Sequence, residues 1–416
     1  MGNLTGIKCI GPVFDASGYA EWCRNYILCL IKEGIPVTIG VDPVRKTGRP
    51  ITIEGVHPDL GEKGAILEEH VGKDIDYNVV ISWLTPPLAV EQMARESHAK
   101  RIVMTLWETD RIHPSWSKYC NFLDEVWLPG SFNKEVFTSS FKEQLELHPE
   151  YSNLSSIPIR TVTYPIAFED YETSFKAKLK HPVTGEILDD DYYLFYSISQ
   201  WTERKNFADL LIAYWSEFSA DDKVVLFLKT YRANYSQQEH DLIQNSISNL
   251  AKGCNKENLP PVAVIRQLLS KQQILALHKA CSCYVSPARG EGLGLGMLEA
   301  ALFENPVITN LFGEQSSYIN ENRGFIYNYT LRPVTGTGIR SLYTMEQNWA
   351  SPDVKDLANK MRFVFENRNE ATKKGRALKS YLLNTCTSEK VAHEIKEHLE
   401  ASLGTVPVKG YKANAG

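Results

Sequence analysis

The chain has no CxxC pair; its eight cysteines are scattered, and the closest two, Cys281 and Cys283, fall in an apolar strand-like run. That pattern speaks against a disulfide or metal framework, and free buried thiols are expected. The ten histidines form no HExxH or comparable spacing, so no structural metal is implied. No apolar stretch approaches the ~20 residues of a membrane span. The opening MGNLTGIKCIGPVFD lacks the basic segment and apolar core of a secretory signal, and Gly6 stands where an N-myristoylation pattern needs Ser or Thr. A cytoplasmic protein without a membrane span is expected, so the Asn-x-Ser/Thr matches at Asn3, Asn153, Asn234 and Asn328 carry little weight. There is no basic excess, since the formal net charge is -5, and hence no general attraction to a nucleic-acid backbone. Short-period repeats and low-complexity tracts are absent as well.

What is there is ordinary globular material: 43% hydrophobic and 23% charged residues over 416 positions, enough for two domains with a core each. The strand-like segment GIKCIGP is followed by SGYAEWCRNYILCLIKEG, with Ala20, Cys23, Ile27, Leu30 and Ile31 at helical spacing and Gly34 as a stop. Short β-branched or aromatic runs then alternate with helical material: IPVTIGV, DYNVVISW, RIVMTLWE, DEVWLPG, IRTVTYPI. Such alternation predicts a parallel sheet wrapped by helices. Periodicity fades around EDYETSFKAKLKHPVTGEILDDDYY and restarts at YLFYSIS, which reads as a connector between domains. The expected division is an N-terminal Rossmann-like domain over 1–170, a linker over 171–190, a C-terminal Rossmann-like domain over 191–387, and a C-terminal helix with tail over 388–416, the helix packing back toward the first domain. Ligands of doubly wound sheets bind at the carboxyl ends of the strands, so the fold class is α/β, two Rossmann-like doubly wound domains facing across a cleft.

The most informative stretch is VSPARGEGLGLGMLEAALFENPVI, Val285 to Ile308, where glycines stand between Glu291 and Glu299. A strand precedes it and a helix begins near Leu293 or Gly294. The first amides of a helix lack partners within it, and with the positive end of the helix dipole they form an anion site suited to phosphate. Fully helical, the eight residues between the acids would span roughly 12 Å, too far for both to grip one atom. Carboxylates accept hydrogen bonds from hydroxyls, so two acids flanking a phosphate site suit a molecule with a diphosphate in the middle and sugars on either side. A glycine-rich turn followed by a solvated helical acid is the plain structural alternative.

EGLGLGMLE resembles the E-x7-E motif of GT4-type retaining glycosyltransferases, which have the GT-B fold. RKNFADLLIAY, CYVSPARGEGLGLGMLEAALFENPVI and GFIY follow the order of that family, and GPVFDASGYA and LWETDRIHPSW…DEVWLPGSFNKEVF resemble segments of its first domain. The resemblance implies a nucleotide-sugar donor, UDP- or GDP-linked, as substrate, no further cofactor, and a hydroxyl acceptor that could be a glycan, a lipid, a protein or a modified nucleic-acid base. It further implies that Glu291 contacts sugar hydroxyls and Glu299 the ribose, with Gly290, Gly292, Leu293 and Gly294 around the donor phosphates.

The charge that grows on the departing diphosphate must be met by cations and helix amides. Arg204 and Lys205 in QWTERKNF are the candidates, against the alternative of a solvated helix start. Many relatives carry Gly-Arg at the end of the preceding strand, where this chain has Ser199 and Gln200. Lys229, closing VVLFLKT, is either a further donor-binding cation or an edge lysine. Asp189, Asp190 and Asp191 precede a strand rather than end one and read as solvated, so metal-independent transfer is expected. On the acceptor side, Gly11, Ser17 and Gly18 place amides at a helix start, at a spacing that is not GxGxxG. Glu108, at the end of the fourth strand, is a candidate to position the acceptor or stabilise the donor ring, with His113 as its alternative. Trp83, Trp107 and Trp116 are stacking faces or, more commonly for strand aromatics, core. Two other functions share these features: a nucleotide-sugar epimerase or hydrolase, and a non-catalytic nucleotide-sugar-binding protein.

Overall fold

The computed structural model describes residues 4–15, 17–40, 60–337, 339 and 341–404. The chain forms two compact units, one running to Ala167 and taken up again from Thr385, the other from Phe168 to Asn384. In the first, the elements are β1 (Ile7–Ile10), α1 (Gly18–Lys32), β2 (Val37–Ile39), α2 (Gly61–Glu68), β3 (Val79–Ser82), α3 (Pro86–Gln92), β4 (Lys100–Met104), α4 (Pro114–Cys120), β5 (Glu125–Leu128), α5 (Ser131–Leu147) and β6 (Ile159–Thr161). Their sheet has the order β2-β1-β3-β4-β5-β6, with every pairing parallel. Val79, Val80, Ile102, Val103 and Val126 are fully buried; continuous apolar runs are what a parallel sheet covered on both faces requires.

The second unit repeats the design with β7 (Tyr193–Ile198), α6 (Phe207–Glu217), β8 (Val224–Lys229), α7 (Gln237–Gly253), β9 (Val262–Ile265), α8 (Lys271–Ala280), β10 (Cys283–Val285), α9 (Leu295–Leu302), β11 (Val307–Thr309) and β12 (Phe325–Ile326). The strand order is β12-β11-β10-β7-β8-β9, again parallel throughout. The order reverses between β7 and β10, and at such a switch point the following loops diverge to opposite faces and open a crevice. The loop after β7 holds Arg204 and Lys205; the loop after β10 holds the glycines and Glu291. An antiparallel hairpin, β13 (Tyr329–Pro333) and β14 (Asn348–Pro352), follows. Its first strand is exposed along its whole length, so no hydrophobic alternation marks it in the sequence. The unit closes with α10 (Val354–Glu366) and most of α11 (Arg368–Thr385).

Two boundaries differ from the sequence reading. The stretch 171–190, expected to be a linker, is part of the second unit. The Ala177 amide donates to the Ala276 carbonyl at 3.1 Å, and Lys180 bridges Ile187 in a small hairpin. Backbone bonds hold this segment while Phe175, Val183 and Ile187 face solvent, which is why its apolar periodicity fades. At the other end the chain rejoins the first unit at Thr385, not 388. There the Ile166 amide donates to Cys386 at 2.7 Å, and α12 (Ser388–Leu403) buries Val391, Ala392, Ile395 and Leu399. The Cys29 thiol of α1 donates to the carbonyl of Ser388, the first residue of α12. All eight cysteines are free.

Candidate active site

In the second unit the structure brings Glu291, Lys205, Arg204 and Gly290 together. Asn206, in a left-handed conformation, caps α6, and the turn before it presents the two cations. Lys205 Nζ lies 2.5 and 2.7 Å from the Glu291 carboxylate oxygens. Arg204 donates to the Gly290 carbonyl at 2.8 Å and reaches Glu291 at 3.5 Å. The two loops are laced by backbone as well: the Arg289 amide donates to the Arg204 carbonyl at 2.8 Å, and the Asn206 side chain to Pro287 at 3.3 Å. Burial alone would raise the Glu291 carboxyl, but Lys205 and then Arg204 outweigh it and hold it below the ordinary value. The group is a buried carboxylate that stays ionised between two cations.

The helix expected near Leu293 or Gly294 begins at Leu295, with Gly294 as its cap at φ 83°. A Cβ on Gly294 would lie 2.7 Å from the Tyr318 hydroxyl, which donates to the Leu293 carbonyl at 2.6 Å. Glycine is required there both by conformation and by space. The Met297 amide already turns back to Gly294, so the amides ahead of it are the ones that a helix start leaves for an anion. Glu299, further along α9, is buried and bound to Lys271 of α8; His278 Nε2, fully buried, stands 3.4 Å from its other oxygen. Burial would raise this carboxyl too, but Lys271 and His278 pull it well below the usual range. The Lys271 ammonium also lies 4.7 Å from the centre of the Tyr171 ring.

The sequence reading missed the segment after β11. The Glu314 amide donates to the Glu291 carbonyl at 2.9 Å, and Gly313 at φ 135° lies so near that a Cβ would fall 2.5 Å from that same oxygen. Buried Asn310 donates to Ala288 at 2.8 Å, and Gln315 donates back to Asn310 at 3.0 Å. A Gly-Glu pair directly after a buried strand was the available signal. A groove of about 1290 Å³ opens beside the site between the loop after β7, α6, α7 and the residues Gly336, Thr337, Ile339 and Tyr343; Arg204 is on its wall, whereas Glu291, Lys205 and Glu299 are not.

The acceptor-side candidates lie in the first unit, at the carboxyl ends of β1 and β4. Ser17 caps α1, accepting from the Ala20 amide at 3.2 Å, and Gly18 is the first helical residue. Buried Arg24 braces this loop from below, donating to the carbonyls of Val13 at 3.1 Å and Asp15 at 2.6 Å. A Cβ on Gly11 would sit 2.7 Å from Cys23 Sγ. Glu108 is buried just beyond β4, and the Tyr19 and Thr105 hydroxyls stand 3.5 Å apart between these two loops. His113 serves as the cap of α4, accepting from the Ser115 amide at 3.2 Å. Trp83, Trp107 and Trp116 are core, the last two packed edge to face at 4.6 Å. Asp190 and Asp191 are exposed and pair with Lys176 and Lys223. No group of three His, Cys, Asp or Glu suited to a metal occurs among the described residues, and no described helix is long and apolar enough to cross a membrane.

No known family profile and no curated protein matches the sequence. Solved structures do match, across both units, and they define the class of fold: the GT-B architecture of two Rossmann-like domains seen in glycosyltransferases. Sucrose-phosphate synthase from Thermosynechococcus elongatus is 13% identical, with 96% of this chain and 99% of that one covered at a TM-score of 0.62. HepE of Anabaena, solved with UDP-glucose, is 13% identical over 95% and 100%, at 0.59. A glycosyltransferase from Rickettsia africae is 15% identical over 97% and 100%, also at 0.59.

Proposed function

We propose that the protein is a GT4-type, retaining glycosyltransferase that moves a sugar from a UDP- or GDP-linked donor to a hydroxyl acceptor without a metal ion, in the cytoplasm. One observation carries the reading: at the switch point of a Rossmann sheet, Lys205 and Arg204 converge on buried Glu291 beside the start of α9. The fold shared with HepE, whose structure holds UDP-glucose, supports the choice of donor.

In the proposed reaction the acceptor oxygen forms a bond to the anomeric carbon on the face from which the phosphate departs. The bond between that carbon and the phosphate oxygen breaks, and the departing phosphate takes the acceptor's proton. Lys205, Arg204 and the first amides of α9 hold the charge that develops on the nucleoside diphosphate. Glu291, anchored by Lys205, orients sugar hydroxyls, and Glu299 meets the ribose. The loop Gly11, Ser17, Gly18 and buried Glu108 serve donor phosphates and acceptor from the first unit.

The test is a panel of nucleotide sugars read by release of free nucleoside diphosphate, with glycan, lipid, protein and nucleic-acid acceptors offered in turn. Transfer from one donor is expected. Glu291→Ala and Lys205→Ala should each lower turnover at least ten-fold in folded protein, about 1.4 kcal/mol or more of transition-state stabilisation. Near-normal rates in both would refute the site. Release to water alone would mark a hydrolase, an isomerised donor an epimerase, and binding without release a nucleotide-sugar-binding protein.

A further inference from the structure

Lys229 closes β8 at the switch-point end of the second sheet, in register with Ile198 of β7, and the Ser199 amide donates to its carbonyl at 3.2 Å. Strand side chains alternate between faces. Val224, Leu226 and Leu228 lie in the apolar core beneath α6 and α10, as do Tyr193 and Phe195 of β7. Phe227 and Lys229 therefore point to the opposite face, along with Tyr196 and Ile198. That face carries α8 and α9: the Tyr196 hydroxyl stands 2.7 Å from His278 Nδ1, and the Tyr284 hydroxyl donates to Ile198 at 3.1 Å. A Cβ on Gly296, in the first turn of α9, would come within 2.9 Å of the Tyr284 ring. The Lys229 side chain thus rises from the strand end on the same side of the sheet as the anion-binding end of α9.

Its surroundings are unusual for a lysine. Only 5% of its surface is exposed, yet no carboxylate among the described residues pairs with it. Its ammonium lies 4.9 Å from the centre of the Tyr235 ring, and Tyr231 stacks on Tyr235 at 4.9 Å. A buried cation is costly unless something pairs with it. Arg204 and Lys205 are both engaged with Glu291; Lys229 has no such acid opposite it among the described residues.

We propose that Lys229 is a phosphate ligand of this site, supplied by β8 across the crevice from the start of α9. The inference rests on the nucleotide-sugar reading above and deepens it, because it makes donor binding proton-linked. Burial lowers Lys229 to about 8, with no charged neighbour opposing the shift. Burial holds Tyr235, the ring beside the ammonium, at about 12, and Ile198 of β7 and Ile265 of β9, in register on either side, are uncharged. An anion stabilises the ammonium, so binding is complete below pH ~8 and weakens above it as the lysine must be reprotonated.

Calorimetric titration of the full chain with UDP and with GDP, at pH 7.5 to 9.5, tests this; the terminal phosphate of either nucleotide is already ionised across that range. Wild-type protein should bind one of them, lose affinity several-fold between pH 8 and 9, and take up close to one proton per nucleotide at pH 9, measured in two buffers of different ionisation enthalpy. Lys229→Met should bind at least ten-fold more weakly at pH 7.5, with a flat profile, while melting at a higher temperature because a buried charge is gone. Lys229→Arg should restore binding and remain flat with pH. Equal affinity and equal pH profile in wild type and Lys229→Met would overturn the role of Lys229 and leave the nucleotide site standing. Failure of wild type to bind either nucleotide would overturn both. Should Lys229→Met not fold, a pH limb near 8 that persists in Lys229→Arg is the contrary result.

Discussion

Glu291 is where the proposed chemistry and the stability of the second unit meet. Two oxygens removed from water are expensive, and here the expense is offset by Lys205 at 2.5 Å and Arg204 at 3.5 Å. Replacing Glu291 with Gln should destabilise the protein by about 3 kcal/mol at neutral pH, since it leaves two half-buried cations without their counter-charge. The carboxyl titrates below its ordinary value of 4.5. Its contribution is therefore complete above that pH and is lost as pH falls through the lowered value. Urea midpoints of wild type and Glu291→Gln should differ most at pH 7 and converge below pH 4.5; a constant gap would contradict the ion-pair account. The types of residue at this site were legible, because a glycine loop between two acids after a strand is a local pattern. Their partners were not: Lys271 and His278 reach Glu299 from another helix, and nothing in nearby sequence announces such a meeting. His113, weighed as the alternative to Glu108, caps α4.

The loop before α9 depends on backbone conformations that few residues adopt. Gly294 and Gly313 both lie at positive φ, 83° and 135°, and at each a side chain would strike the structure that holds Glu291 or Leu293 in place. Gly313→Ala should cost about 2 kcal/mol or more, and should lower turnover several-fold although Gly313 is proposed to touch no substrate. A stability loss with unchanged turnover per folded molecule would show that the loop after β11 does not position Glu291. Sequence periodicity placed α9 within one or two residues and recognised the strand before it, because both are strongly apolar. The hairpin of β13 and β14 escaped it: β13 is exposed and ends in Pro333, so neither alternation nor length marks it as a strand. Its link to the site is a backbone bond, Ala350 amide to Arg289 carbonyl at 2.7 Å.

The fold was legible from rhythm, since two successive runs of short apolar strands alternating with helices have few solutions other than two parallel sheets. The chain's return to its first unit had a weaker signature, an amphipathic last helix whose docking face must be found elsewhere. That helix, α12, is fixed by four buried apolar side chains, by a bond from the Thr163 amide to Glu394 at 3.0 Å and by a contact between His398 and Thr161 at 2.9 Å. Truncation after Thr387 should remove several kcal/mol of apolar burial. Amide exchange should then quicken in α1 and β6 while β7, β8 and β10 stay protected; loss of protection in the second sheet would place α12's role elsewhere. Where a nucleotide sits decides the function of the whole molecule. A crystal structure with UDP or GDP bound should show the diphosphate against the first amides of α9, within reach of Lys205 and Arg204 and beside Glu291. A nucleotide ordered anywhere else, with that crevice filled only by solvent, would contradict it.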